Sequence, residues 1–419
     1  MKIPLNSPVR KRLIAAVAIV FALAYLGLAA RELVAYWLGN RTQLNSLKAA
    51  AWLDPGNAEY RNRVGRYYDL VSRDPLTAIQ NYKAATLLNP HSARLWFDLA
   101  RAYQVLGDTA NQTFALERAI HADSMTPDVA WEAANLYLVQ GENEKALREF
   151  RVVMANDTSL AATSIGFCWR INPDVDLLLR DVVPPTADAY IAFLNLLQVK
   201  GEAAGTVKVW NALIGTHQPF EPRFAYDYIR FLIQQKEVNQ AVAVWQQTAK
   251  RFGLTSYLSS PGNLVANGTF SLDVLNAGFD WQYQKQSGVK LELDPSDFHA
   301  GRRSLMITFD GPGINDAGIY QYVPVQPSTT YDFSAFYKNK GDLEGAGGPH
   351  FTITDMYSQA NYYESDVLRD AGFWKSVDGE FTTSADCKLV VLHVQRLPAG
   401  SPIRGKLWID DLHISRKPS

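Results

Sequence analysis

In Trp96-Phe97-Asp98-Leu99-Ala100-Arg101-Ala102-Tyr103-Gln104-Val105-Leu106-Gly107, the residues Trp96, Leu99, Ala100 and Tyr103 stand at i, i+3, i+4 and i+7. That spacing puts them on one face of an amphipathic helix. Gly107-Asp108 ends the helix, and a second apolar stripe follows at Phe114, Leu116, Ala119 and Ile120. The pattern returns. Ala100, Tyr103 and Gly107 recur 34 residues on as Ala134, Tyr137 and Gly141, and Leu116 is matched by Phe150. Upstream, Asp54-Pro55 and Asn89-Pro90 are 35 apart, as are Tyr68 and Tyr103, and one extra residue in the turn 72–75 accounts for the difference.

A period of 34 with small residues at helix crossings resembles the tetratricopeptide repeat, most clearly over 59–157. The match departs from the pattern at Gln112, where Ala is usual, and at Ser124 and Thr158, where a closing Pro is usual. Leu197 and Trp210 recur 35 residues on as Leu232 and Trp245, which predicts further degenerate helix pairs over 186–252. Pro173, Pro184 and Pro185 make 158–185 an irregular helical insert. Each pair needs its neighbours to bury its apolar face, and such a stack leaves a groove suited to a protein partner.

Toward the amino end the repeat leads into a helix over 42–54, and before it one over 31–40 continuous with an apolar run, Leu13 to Ala30. Those 18 residues hold no charge and no proline. As a helix they span roughly 27 Å, near the thickness of a hydrocarbon core. Lys2, Arg10, Lys11 and Arg12 precede the run, so the short tail is expected in the cytoplasm and the bulk in the periplasm. The expectation is a single pass through the inner membrane by residues 13–30. A cleaved signal peptide is the alternative, since Gly27-Leu28-Ala29 offers a small-residue cleavage pattern.

Toward the carboxyl end, helical spacing stops after Tyr257 and Ser259-Ser260-Pro261-Gly262 reads as a linker. Short alternating runs follow at 304–309, 319–325, 331–338, 351–357, 389–395 and 406–414, separated by turns such as Gly311-Pro312-Gly313, Pro327-Ser328 and Pro398-Ala399-Gly400. At least eight strands in this length fit an antiparallel β-sandwich or jelly roll. The fold class is thus multidomain α + β: a cytoplasmic tail (1–12), a transmembrane signal anchor (13–30), an α-solenoid (31–257) and a β-sandwich (258–419).

Asn263 to Phe270, read as an opening strand, resembles the start of the galactose-binding-like jelly rolls that include cellulose-, xylan- and glucan-binding modules. Gly301-Arg302-Arg303-Ser304-Leu305, Gln321 to Val325, Tyr331 to Ala335, Phe373 to Val377, Phe381-Thr382 and Leu407 to Leu412 follow in the family's order. The resemblance implies glycan binding, and also a structural calcium between a carboxylate after the opening Asn-Gly-x-Phe and an Asp of the closing strand. Asp411 fits the second position. Ser271 occupies the first, with Asp273 as a substitute, so calcium stays open and no other cofactor is required.

Sugar rings need flat aromatic surface and a few fixed polar groups. Trp281, Tyr320, Tyr322, Tyr362, Tyr363 and Trp374 are the available aromatics; Lys338, Asp355, His393, Gln395 and Arg396 are the polar residues on or beside strands. The site nominated for glycan is Trp281, Tyr322, Lys338, Asp355, His393, Gln395 and Arg396. His393 and Gln395 alternate with Val390, Leu392 and Val394, so they face away from the core.

The net charge is −1 with charges mixed along the chain, which argues against a nucleic-acid partner. Cys168 and Cys387 lie too far apart in sequence to suggest a disulfide framework and are expected as small buried residues. No nucleophile elbow, His-Glu-x-x-His, phosphate loop or dinucleotide fingerprint occurs. Asp355 with Asp316 or Asp410 is the one carboxylate pairing to weigh for hydrolysis, and no catalysis is expected. The sequence therefore suggests a scaffold in cell-envelope or exopolysaccharide assembly. A pure protein scaffold with the β-domain as a cap, and a glycan-processing accessory enzyme, are its rivals.

Overall fold

The computed structural model describes residues 8–311, 316–339, 343–345 and 347–418. Lys2, the rest of the first seven residues, and the Pro312-Gly313 portion of one expected turn lie outside them.

The helices run in order as α1 (Pro8–Gly39), α2 (Leu44–Leu53), α3 (Ala58–Leu70), α4 (Pro75–Leu88), α5 (Ala93–Leu106), α6 (Thr109–Ala122), α7 (Pro127–Gln140) and α8 (Asn143–Asn156). Then come α9 (Ala161–Ile171), α10 (Val175–Leu177), α11 (Ala187–Lys200), α12 (Ala203–Gly215), α13 (Pro222–Gln234) and α14 (Val238–Phe252). Local chemistry sets their ends. Asp74 and Asp108 accept the N–H of Thr77 and Asn111, both at 3.1 Å, and so cap α4 and α6. Gly107 and Gly141 close α5 and α7 with φ of 73° and 78°, a left-handed turn that a side chain would oppose. The repeated small residues sit where expected: Ala100 and Ala134 are fully buried, beside buried Tyr103 and Tyr137. Gln112, the departure from the repeat, is buried too.

Packing ties successive pairs together. Phe150 stacks on Phe167 at 5.6 Å, and Trp131 meets both edge-on. Asp98 on α5 is 5% exposed and accepts from Asn62 at 2.8 Å and Arg66 at 2.9 Å on α3. Arg101, which also contacts Asp98, pairs with Glu132 on α7. The insert combines α9, α10 and a π-helical turn at Leu178–Val182.

Helix α1 is long and apolar enough to cross a membrane. Its apolar side chains are exposed all around, for example Phe21 and Leu23, and burial begins only at Ala35. A helix apolar on every side is unstable in water and suits lipid.

The strands are β1 (Gln282–Tyr283), β2 (Val289–Asp294), β3 (Ser304–Gly311), β4 (Asp316–Pro324), β5 (Thr330–Asn339), β6 (Glu344–Gly345), β7 (Gly348–Asp355), β8 (Asn361–Glu364), β9 (Lys375–Thr382), β10 (Leu389–Leu397) and β11 (Ile403–Arg416). They form two antiparallel sheets, one ordered β1-β4-β10-β7-β8 and the other β2-β3-β11-β5-β9, with β6 beside β11. Ile307, Phe309, Ile319, Val323, Phe333, Phe351, Ile353, Leu392 and Leu407 fill the space between them. Each contributes about 1.5–3 kcal/mol by leaving water. The stretch 263–270 is not the strand expected from sequence. It meets β11 at separate points, Leu264 N–H to Ile414 O and Leu412 N–H to Gly268 O, with the Asn263 side chain donating to Leu412 O and accepting Ile414 N–H. Asn267 and Phe270 have φ of 48° and 46°, which breaks any extended run.

Two compact units result. One runs to Leu196 and takes in Lys208–Gln218; the other holds Leu197–Val207 and everything from Pro219 onward. Helices α13 and α14 thus belong with the sandwich, upstream of the composition break at Tyr257. Cys168 and Cys387 are both buried and unbridged.

Candidate functional site

Strand β10 buries Val390, Leu392 and Val394 between the sheets, which turns Val391, His393 and Gln395 to the outer face. Strand β4 behaves alike, with Ile319 and Val323 inward and Tyr320 and Tyr322 outward. Antiparallel register then sets the neighbours. His393 lies opposite Tyr320, Val391 opposite Tyr322 and Gln395 opposite Asp316. On its other side β10 faces β7, with His393 opposite Thr352, Val391 opposite Thr354 and Gln395 opposite His350. Directly paired residues share a sheet face, so three strands build one mixed surface.

Its geometry is fixed by ring contacts. Tyr320 meets Tyr322 edge-on at 5.4 Å and His393 at 5.8 Å. His393 Nε2 lies 2.8 Å from an Asp316 carboxylate oxygen, and the Tyr320 hydroxyl donates to Gln282 at 3.4 Å. Burial, reinforced by neighbouring Tyr320, pushes the Tyr322 phenol up. It therefore stays protonated, able to donate and accept at once. Aromatic faces flanked by an imidazole, a carboxylate, an amide and hydroxyls suit a ligand with both C–H faces and hydroxyls.

Of the seven residues nominated for glycan, the fold brings three together: Tyr322, His393 and Gln395. Trp281 is fully buried, stacks on Phe270 at 5.1 Å and donates to Asn267 O at 3.2 Å, so its ring is core. Arg396 is 1% exposed and donates inward to the Leu397 and Pro402 carbonyls. Asp355 is 4% exposed and caps a turn by accepting from Tyr357 N–H at 2.7 Å and Ser358 N–H at 2.9 Å. Burial pushes that carboxyl up, yet the Ser358 and Tyr357 N–H groups outweigh it and hold the group below the usual range. Lys338 lies on the other sheet opposite Trp408, with its ammonium on Asp297 at 2.7 Å. Asp316 and Thr354 join the surface instead, while Thr352 and His350 lie beneath it, both buried, with His350 Nδ1 2.7 Å from Ser365 O. Only strand register reveals them.

The weighed carboxylate pair is not assembled. Asp355 and Asp316 pair with Val390 and Gln395, positions separated by about 17 Å of extended strand, beyond the reach hydrolysis requires. Asp410 is buried on the opposite sheet, accepting from His299 N–H at 2.7 Å and Ala300 N–H at 2.8 Å.

The residues do not fit calcium either. Asp273 is bound to Arg303 at 2.7 Å, whereas Asp411 sits between His413 at 3.0 Å and His299 at 3.2 Å. Arg303 also donates to Phe270 O at 2.9 Å, so one guanidinium pairs with the carboxylate and occupies the carbonyl near the opening segment. Ser271 turns its hydroxyl to Thr269, and Asp410 is satisfied by N–H donors. Among the described residues, no three His, Cys, Asp or Glu side chains gather as a metal site. Calcium wants six to eight oxygens, and here the two carboxylates face a guanidinium and two imidazoles.

Residues 262–400 match the family model described as carbohydrate binding domain. The chain carries a C-terminal carbohydrate-binding module. Among solved structures similar to the chain, the CBM22-1 xylan-binding domain from Paenibacillus barcinonensis Xyn10C is 14% identical. That match spans 38% of this chain and 98% of that one, with a TM-score of 0.28. MamA is 21% identical over 41% of this chain and 85% of that one, at 0.25. Pseudomonas aeruginosa pilF is 14% identical over 54% and 94%, at 0.27. No curated protein matches. Within the carbohydrate-binding module, the outer face of the five-stranded sheet is a surface that joins aromatic and polar groups.

Proposed function

We propose that this protein is a non-catalytic adaptor, anchored in the inner membrane by α1 and facing the periplasm. Its repeats hold a protein partner, and its module binds glycan on the outer face of β4, β10 and β7. The observation that carries this reading is the in-register surface of Tyr320, Tyr322, His393 and Gln395 within a matched carbohydrate binding domain. The repeats add support: Leu70, Val105 and Val139, two residues past the recurring Tyr68, Tyr103 and Tyr137, are 73%, 69% and 67% exposed. A regular apolar row open to solvent is a surface for another protein. Work in cell-envelope or exported-polysaccharide assembly gives both halves a use.

The test is affinity electrophoresis of the full chain in detergent, through gels holding soluble xylan or mixed-linkage β-glucan. Wild type should be retarded by at least one of them. Tyr320→Ala and Tyr322→Ala should each weaken that retention about tenfold, through lost ring surface. Retention that survives both substitutions would contradict this placement of the site.

A further inference from the structure

Helix α13 is held beside the glycan face by its own unit. The Tyr357 hydroxyl, in the turn after β7, donates to Ile233 O on α13 at 2.9 Å. The Lys236 ammonium lies 5.6 Å from the same ring. Trp245 of α14 packs on Gly278, where an added Cβ would come within 2.5 Å of the indole and φ is +61°. Only glycine satisfies both demands there, so the two helices seat directly on the sandwich.

Those ties stand at a defined end of the sheet. Met356 N–H bonds Leu389 O, and Leu389 is opposite Pro324, so Tyr357 marks the end where β10 starts and β4 stops. Tyr322 is two residues inside that end. Arg230 precedes Ile233 by three positions, which places it on the same side of α13, one turn back. Burial pushes the Tyr322 phenol up, and the Arg230 guanidinium is among the charges acting on it in return. Arg230 Nη1 meets Asp227 Oδ1 at 3.1 Å, with the two side chains 62% and 56% exposed.

We propose that α13 forms one wall of the glycan site, with Arg230 and Asp227 binding sugar hydroxyls beside Tyr322. A guanidinium donor next to a carboxylate acceptor matches two vicinal hydroxyls of a neutral pyranose. The site is then shared: the sheet supplies the stacking floor and the last helix pair supplies a polar edge. Placement of glycan on the outer sheet face is assumed here, and the test keeps the two claims apart.

The experiment compares full-length wild type, Arg230→Ala, Arg230→Lys, Asp227→Ala and Tyr322→Ala, using soluble xylan and mixed-linkage β-glucan as probes in affinity gels. Both helix positions are exposed, so unchanged melting curves and circular dichroism should accompany these variants. Arg230→Ala should weaken retention about tenfold, the size of one lost charged hydrogen bond. Arg230→Lys should recover part of that loss, because charge returns without the two-pronged geometry. Loss in Tyr322→Ala with full retention in both alanine variants of α13 would overturn the wall and leave the sheet site standing. Wild type unretarded by both polymers would overturn the two claims together.

Discussion

Trp281→Ala should lower the stability of the sandwich unit by about 3–5 kcal/mol, the usual result of emptying a buried tryptophan site. The side chain is fully buried and stacks on Phe270, itself fully buried. Its indole N–H also bonds Asn267 O, holding a residue whose φ is 48°. Removal therefore opens a cavity and frees the strained opening segment at once. Chemical denaturation of the full chain, followed by tryptophan fluorescence and circular dichroism, reads the loss. A tryptophan serving as a sugar platform would behave oppositely, weakening retention on glycan while moving the midpoint by less than about 0.5 kcal/mol.

The neighbouring Asp280 makes sandwich stability depend on pH. Its side chain is fully buried, accepts Leu275 N–H at 2.7 Å, and is pushed up to about 7 by burial. In the unfolded chain it titrates near 3.8. The folded state thus holds a proton that the unfolded state releases between about pH 4 and 7. This contribution is complete below pH 4 and is lost as pH rises through 7. The full swing is about 4 kcal/mol, given 1.36 kcal/mol per unit. Asp280→Asn carries no charge to bury, so its difference from wild type should grow in the variant's favour from pH 4 to pH 8. Parallel stability curves for the two proteins over that range would contradict the assignment.

Much of the architecture can be read before any coordinates. The tetratricopeptide-like period rests on i, i+3, i+4 spacing and on small residues at crossings, both local properties. The six expected strands all form, since each alternates or runs apolar over its length. Strand β9, Lys-Ser-Val-Asp-Gly-Glu-Phe-Thr, escapes such reading because it is an edge strand carrying charge, a common guard against unwanted pairing. The opening segment misleads for the reverse reason: its apolar residues look like a strand, while two left-handed residues fold it into turns.

The candidate site divides along similar lines. Alternation alone turns His393 and Gln395 outward. Nothing local separates Trp281, which is core, from Tyr320 and Tyr322, which form the floor. Asp316 reaches His393 only through register between β4 and β10, and Arg230 only through the seating of α13. Composition marks a break at Tyr257, but packing joins α13 and α14 to the strands beyond it. Long-range pairing of this kind leaves no periodic trace.

The most direct test of the glycan face is hydrogen–deuterium exchange on the full chain, with and without the polymer that retards it in gels. Protection gathered in 316–324, 350–357 and 389–397, with 330–339 and 403–416 unchanged, is the expected result. Protection confined to the β5 and β11 strands, or to none, would contradict it.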